Sequence, residues 1–258
     1  MGNNLPSNSE AVDMFKRNNI RRIRMYDVNP NALNALRGSN IELILDIPNH
    51  KIDGIANNPM EATKWVRDNV ESYNDVTFKY ISVGNELKPR DLVGKETILI
   101  QAMQNIDKAL SDARLSNIKV STTTYMGAFT ERILRRTGDS MLHFLAEKQS
   151  PLLVNIYTYF GYIQNPKDIP LEFALFKPTK GFIDDNNKLP YQNLFDANLD
   201  SVYAALEKSR GGSLEVVVSE SGWPTQGGLE ANVPNAEAYI NNLIQHVKNG
   251  SPKRPGNL

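Results

Sequence analysis

The chain has 258 residues, 40% of them hydrophobic, enough to bury a sizeable core as one large domain or two small ones. Its 29 basic and 29 acidic side chains cancel without forming a block of like charge, which argues against nucleic acid or an anionic membrane surface as a partner. Cysteine is absent, which excludes disulfides, thiolate metal sites and a cysteine nucleophile.

The amino-terminal stretch MGNNLPSNSEAVDMFKRNN has no apolar core of signal-peptide length, and no window approaches a membrane span, so a soluble chain without an address is expected. Within it, SEAVDMFKRNN predicts a serine-capped helix. Strands are predicted at IRRIRMYD (20 to 27) and IELILDIP (41 to 48). NPMEATKWVRDNVESY carries proline just inside its start and Trp65, Val66, Val70 and Tyr73 at helical spacing. FKYISVGNE (78 to 86) reads as a third strand, followed by a helical stripe of Ile98, Ala102, Ile106, Ala109 and Leu110. Further strands are predicted at IKVSTTTY (118 to 125), LLVNIYTYF (152 to 160) and LEVVVSES (214 to 221). NLFDANLDSVYAALEKSRGG places Leu199, Val202, Tyr203 and Leu206 on one helical face and ends at glycine, and NAEAYINNLIQHVKNG repeats that plan. His50, His143 and His246 are scattered and read as packed or surface residues, so no metal is expected.

Alternation of strand and helix implies parallel strands joined by right-handed crossovers, in an open doubly wound sheet or a closed eight-stranded barrel. The open form usually carries a glycine-rich phosphate loop after its first strand. Neither GxGxxG nor GxxxxGK occurs and no linker splits the chain, which favours a single α/β barrel domain over residues 1–258.

In such a barrel the active site lies at the carboxyl ends of the strands. Glu86 ends YISVGNE and Glu220 ends LEVVVSE, each after an apolar run. A carboxylate buried without partners costs several kcal/mol, so the pair is either satisfied by backbone amides or an arginine, or kept for chemistry. Asn85 beside Glu86 can offer its amide to a hydroxyl, and Trp223 beyond Glu220 offers a flat face. Tyr26 closes its own strand, while Tyr157, Tyr159 and Phe160 crowd the end of LLVNIYTYF. Aromatic faces, amides and two carboxylates suit a sugar, and two carboxylates can cleave a glycosidic bond.

Several stretches carry a resemblance in order along nearly the whole chain: GNNLPS, NNIRRIRMYD, ALRGSNIELILDIPN, YISVGNE, SPLLVNIYTYF, YQNLFDA, LEVVVSESGWPT and HVKNGSPKRP. Together they resemble the plant β-1,3-glucanases of glycoside hydrolase family 17, with VGNE and SESGWP the most specific pair. The resemblance implies a (β/α)8 TIM barrel that hydrolyses internal β-1,3-glucosidic bonds with retention, without cofactor or metal. It makes Glu86 the general acid/base and Glu220 the nucleophile, and assigns Tyr26, Asn85, Asn155, Tyr157, Tyr159 and Phe160 to the glucan groove, beside Trp223. It implies β-1,3-glucan as partner, a monomer, and a secreted, cell-wall or vacuolar setting, with mixed β-1,3;1,4-glucan as the close alternative.

The sequence also departs from the family. A strand resembling IGVCYG, expected before GNNLPS, and one resembling ETYIFAMFDE, expected after KRPGNL, are absent. A barrel truncated at its first and eighth strands is therefore expected, with edge strands open to pairing and activity reduced to that of a glucan-binding remnant as the alternative outcome. A groove loop before GAFTERIL reads as deleted, and Thr158 stands where proline is usual. The sequon Asn249-Gly250-Ser251 is followed by Pro252, which disfavours glycosylation.

Overall fold

A computed structural model describes residues 5–87, 96–129, 138–185, 188–209, 211–248 and 250–256. The reading of GAFTERIL from residue 130 onward, and the sequon's Asn249, lie outside the described residues. The chain divides into two compact units: Met1–Thr123 with Ser140–Pro151, and Thr124–Asp139 with Leu152–Leu258.

In the first unit, strands β1 (Arg22–Met25), β2 (Glu42–Ile47), β3 (Thr77–Asn85) and β4 (Lys119–Tyr125) run parallel in that order, β4 ending at the boundary of the second unit. Their connections carry α1 (Asn8–Arg17), α2 (Pro30–Leu36), α3 (Ile52–Asn57), α4 (Pro59–Asn69), α5 (Glu96–Asp112) and α6 (Gly138–Glu147). The predicted strands sit within two residues of those observed. The cap of α1 is Ser7 rather than Ser9, because Ser7 and Glu10 have the S-x-x-E spacing that lets each satisfy the other's backbone amide. Asn58 caps α4, and Pro59 opens it as the sequence predicts. Leu43, Leu45, Ile47 and Ile81 of the strands and Met103 and Ile106 of α5 are fully buried.

In the second unit β5 (Leu152–Asn155) pairs parallel with β6 (Val216–Glu220), and the helices are α7 (Thr158–Gln164), α8 (Leu171–Ala174), α9 (Leu194–Lys208) and α10 (Val233–His246). Here the strand expected over 152 to 160 is corrected: it ends at Asn155, and Thr158, Tyr159 and Phe160 open a helix. The β-forming residues of IYTYF are overridden by packing. Tyr159 and Tyr162, one helical turn apart, enter a buried aromatic cluster with Trp223 and Tyr239. The buried Thr158 hydroxyl donates to the Ala174 carbonyl at 3.0 Å.

Helix α9 buries the expected face, Leu199, Val202, Tyr203 and Leu206, and two carboxylates on it tie down the last residue of α10 and the chain beyond it. Asp196 meets His246 at 2.7 Å. Asp200 accepts from the Ser251 hydroxyl and, at 2.9 Å, from the Lys253 amide. His143 is exposed on α6, 4.0 Å from Glu147, and His50 is exposed in the short 3-10 turn Asn49–Lys51.

Candidate active site

Glu220 is the last residue of β6 and Glu86 directly follows β3, and in each case the ladder changes register just before the glutamate. In β3, Ser82 pairs with Ser121 but Asn85 pairs with Thr123, so one extra residue is inserted between Ser82 and Asn85. In β6, Val218 pairs with Val154 and Glu220 with Asn155, so Ser219 is the extra residue. A bulge of this kind bends the strand and re-aims the side chains that follow it.

In the first unit the bulge is built on backbone that L-residues rarely adopt. Gly84 has φ +77°, and Glu86 has φ +49°. A Cβ at position 84 would lie 2.8 Å from Ile52 Cδ1 and 3.2 Å from Asn49 Oδ1, so the glycine is needed for space as well as for φ. Asn85 between them is held from two sides. Its backbone N–H donates to Asn49 Oδ1 at 2.8 Å and its carbonyl accepts from Asn49 Nδ2 at 2.9 Å. Its side-chain Oδ1 accepts from Arg24 Nη2 at 3.1 Å. The Glu86 N–H donates to the Thr123 carbonyl at 3.0 Å.

Arg24 is the hub of this end. Nη2 and Nε donate to the two carboxylate oxygens of Asp46 at 2.6 and 3.1 Å, and both side chains are buried. Its guanidinium also lies 4.8 Å from the ring centre of Tyr26, which is 54% exposed. Arginine only donates, so the oxygen of the Asn85 amide must face it.

In the second unit Glu220 keeps ordinary strand backbone. Its Oε2 accepts from the Tyr157 hydroxyl at 2.8 Å, and its carbonyl accepts from the Ile156 amide at 2.9 Å. The neighbouring Ser219 hydroxyl donates to the buried Asn155 Oδ1 at 2.9 Å. Trp223 and Tyr159 are both 7% exposed and pack edge to face at 5.0 Å. The indole N–H is satisfied by the Glu230 carbonyl at 2.9 Å. Phe160, 54% exposed, stands edge-on to Tyr157 at 5.7 Å. The structure thus places Tyr26 beside Arg24, which bonds to Asn85 next to Glu86, and sets Asn155 and Tyr157 against Glu220. Phe160 lies beside Tyr157, and Tyr159 and Trp223 sit in the adjoining aromatic core.

Residues 1–258 match Glycosyl hydrolases family 17 along their whole length. The chain belongs to that family. It is 62% identical to a glucan endo-1,3-beta-glucosidase of Brassica campestris over 98% of this chain and 77% of the relative. It is 46% identical to the basic vacuolar isoform GLB of that enzyme from Nicotiana tabacum, over 99% and 72%. A solved structure described as one of two plant beta-glucan endohydrolases with distinct substrate specificities superposes with TM-score 0.92 at 37% identity, covering 100% of this chain and 86% of that one.

Membership makes the chain a glycoside hydrolase with the (β/α)8 barrel fold, of which the described residues supply six parallel strands. In this family fold a strand's carboxyl end is where chemistry is placed, and both bulged glutamates lie there. Sequence reasoning overlooked Arg24, Asp46 and Asn49. The signal was present for two of them: Arg24 and Asp46 are charges inside apolar strand runs, the same anomaly that singled out Glu220. Asn49 carried no such mark. Among the described residues no group of three His, Cys, Asp or Glu side chains is placed to hold a metal ion, and no helix is long and apolar enough to cross a membrane.

Proposed function

We propose that this family 17 hydrolase cleaves internal β-1,3-glucosidic bonds of β-glucans with retention, Glu220 acting as nucleophile and Glu86 as general acid and then base. The observation that carries this reading is the repeated device: two carboxylates, each at the carboxyl end of a parallel strand and each presented beyond a one-residue bulge. Glu220 attacks the anomeric carbon while Glu86 protonates the departing glycosidic oxygen; Glu86 then takes a proton from the water that releases the sugar from Glu220. The Tyr157 hydroxyl donates to Glu220 Oε2 and so orients the carboxylate. Exposed Tyr26 and Phe160 offer ring faces to sugar, and Asn85, beside Glu86, carries an amide of the kind that binds sugar hydroxyls. Asn155, Tyr159 and Trp223, being buried, serve the groove by holding Ser219 and the chain beyond Glu220.

The substrate follows the names of the Brassica and tobacco relatives, and the tobacco isoform supports a vacuolar compartment, with the cell wall as the other setting. A monomer is the working state. The test is reducing-end release from soluble β-1,3-glucan: Glu86→Gln and Glu220→Gln should each lose turnover by at least about a hundredfold, and unchanged hydrolysis in either removes that residue's role. Because the solved relatives differ in substrate specificity, mixed β-1,3;1,4-glucan belongs in the same assay, where faster cleavage would reassign the linkage. Oligosaccharide binding without turnover by the unaltered chain would instead identify a glucan-binding protein.

A further inference from the structure

We propose that Asn49 is a positioning residue for Glu86: its side-chain amide acts as one more rung of the β2–β3 ladder and so holds the turned backbone that presents the proton donor. The inference rests on the reading of Glu86 as general acid. The last backbone pair of the ladder is Ile47 with Val83. Pro48 follows, which has no N–H to give, and the chain then turns away into Asn49–Lys51. At the same offset of 36 residues, Asn49 Oδ1 accepts from the Asn85 N–H and Asn49 Nδ2 donates to the Asn85 carbonyl. A carboxamide carries the same acceptor and donor as a peptide group, so it replaces the strand partner that the turn took away.

The replacement falls where the backbone needs it. Asn85 is bracketed by two residues with positive φ, Gly84 and Glu86. Glycine adopts that conformation freely, but glutamate does so at a cost and keeps it only where neighbours over-determine it. On one flank the Glu86 N–H is held by Thr123; on the other, both backbone polar groups of Asn85 are held by Asn49. Without Asn49 the Asn85–Glu86 segment is free to relax towards ordinary φ, which swings the Glu86 side chain away from its direction. A displacement of about 1 Å at a catalytic group costs on the order of a hundredfold in rate.

The test separates positioning of an acid from general loss of structure by varying the leaving group. β-1,3-Glucan needs its departing oxygen protonated, whereas a dinitrophenyl β-laminaribioside departs without help. In Asn49→Ala, kcat/KM, which reports the bond-breaking step, should fall about 10- to 100-fold on glucan and less than about threefold on the aryl glycoside. Glu86→Gln should show the same selectivity with a larger loss on glucan. Equal losses on both substrates in Asn49→Ala, with Glu86→Gln selective, would overturn the inference and leave the acid assignment standing. Absence of selectivity in Glu86→Gln would remove the acid assignment and the inference with it. Should Asn49→Ala fail to fold, Asn49→Asp keeps the acceptor for the Asn85 N–H but sets a second carboxylate oxygen against the Asn85 carbonyl in place of the donor. It should show the same selectivity, and full activity on glucan in that variant would equally overturn the inference.

Discussion

The ends of β3 and β6 solve one problem in two ways. Both insert a residue to re-aim a glutamate. At β3 the insertion is made with a glycine at φ +77° and carries over into Glu86 at φ +49°, so the geometry lies in the backbone and is braced by Asn49, Thr123 and the buried Arg24–Asp46 pair. At β6 the inserted residue is Ser219, neither it nor Glu220 has a positive φ, and the brace is a pair of hydroxyls, from Tyr157 and Ser219. The carboxylate proposed to release and recover a proton is set on stiff, strained backbone; the one proposed to bond to carbon is set on regular strand and steered by a side chain. Disturbing the first arrangement should therefore cost stability as well as rate, and disturbing the second mainly rate.

The largest effect that tests this contrast is expected at Arg24. Its guanidinium and the Asp46 carboxylate are 6% and 2% exposed, and removing one partner of a buried pair leaves a charge stranded at a cost of about 3–5 kcal/mol. Arg24→Met should lose that much in urea unfolding. Adding Asp46→Leu should restore most of the stability, since a packed apolar pair can replace a buried ionic one. It should not restore activity, because Asn85 Oδ1 has lost its donor. Activity returning with stability would show that Arg24 serves only the fold.

Next in size is Gly84→Ala. The positive φ and the contact with Ile52 and Asn49 together should cost about 2 kcal/mol, whereas Ser219→Ala at the other bulge loses only a hydroxyl bond, about 1 kcal/mol. Equal losses at the two positions would erase the distinction between the bulges. Tyr157→Phe should leave the unfolding midpoint nearly unchanged and lower kcat about tenfold, equivalent to about 1.4 kcal/mol, as fits one hydrogen bond to a charged group.

Much of this was legible in the residues. Periodicity placed the six parallel strands and the principal helices, and the carboxylates stood out as charges after apolar runs. What escaped had physical reasons. IYTYF reads as strand by propensity, but its side chains are wanted in an aromatic cluster and Thr158 in a buried bond to Ala174, so tertiary packing decided. A bulge adds one residue to a ladder without altering its composition, so VGNE and VVSE gave no sign of their shared insertion. Asn49 acts by imitating a peptide group, which no pattern of polarity marks; only the pairing offset reveals it.

The smallest expected effect lies away from both strand ends, at Asp200, and serves as a control on them. Burial raises the affinity of this carboxyl for its proton, against the lowering influence of the Ser251 hydroxyl and the Lys253 and Tyr191 bonds, with Asp196 nearby adding to the rise. A carboxyl that holds its proton more tightly in the folded chain than in the unfolded one makes the folded chain bind more protons through that range. Stability then increases as pH falls through the raised value towards the ordinary carboxylate one, and decreases as pH rises. Comparing thermal midpoints of the unaltered chain and Asp200→Asn between about pH 7 and pH 4 isolates the contribution. The unaltered chain should gain on the variant as acid is added. A gain in the opposite direction would mean that the bonds from Ser251, Lys253 and Tyr191 outweigh burial, making Asp200 a stabilising anion that clamps the chain beyond α10 onto α9.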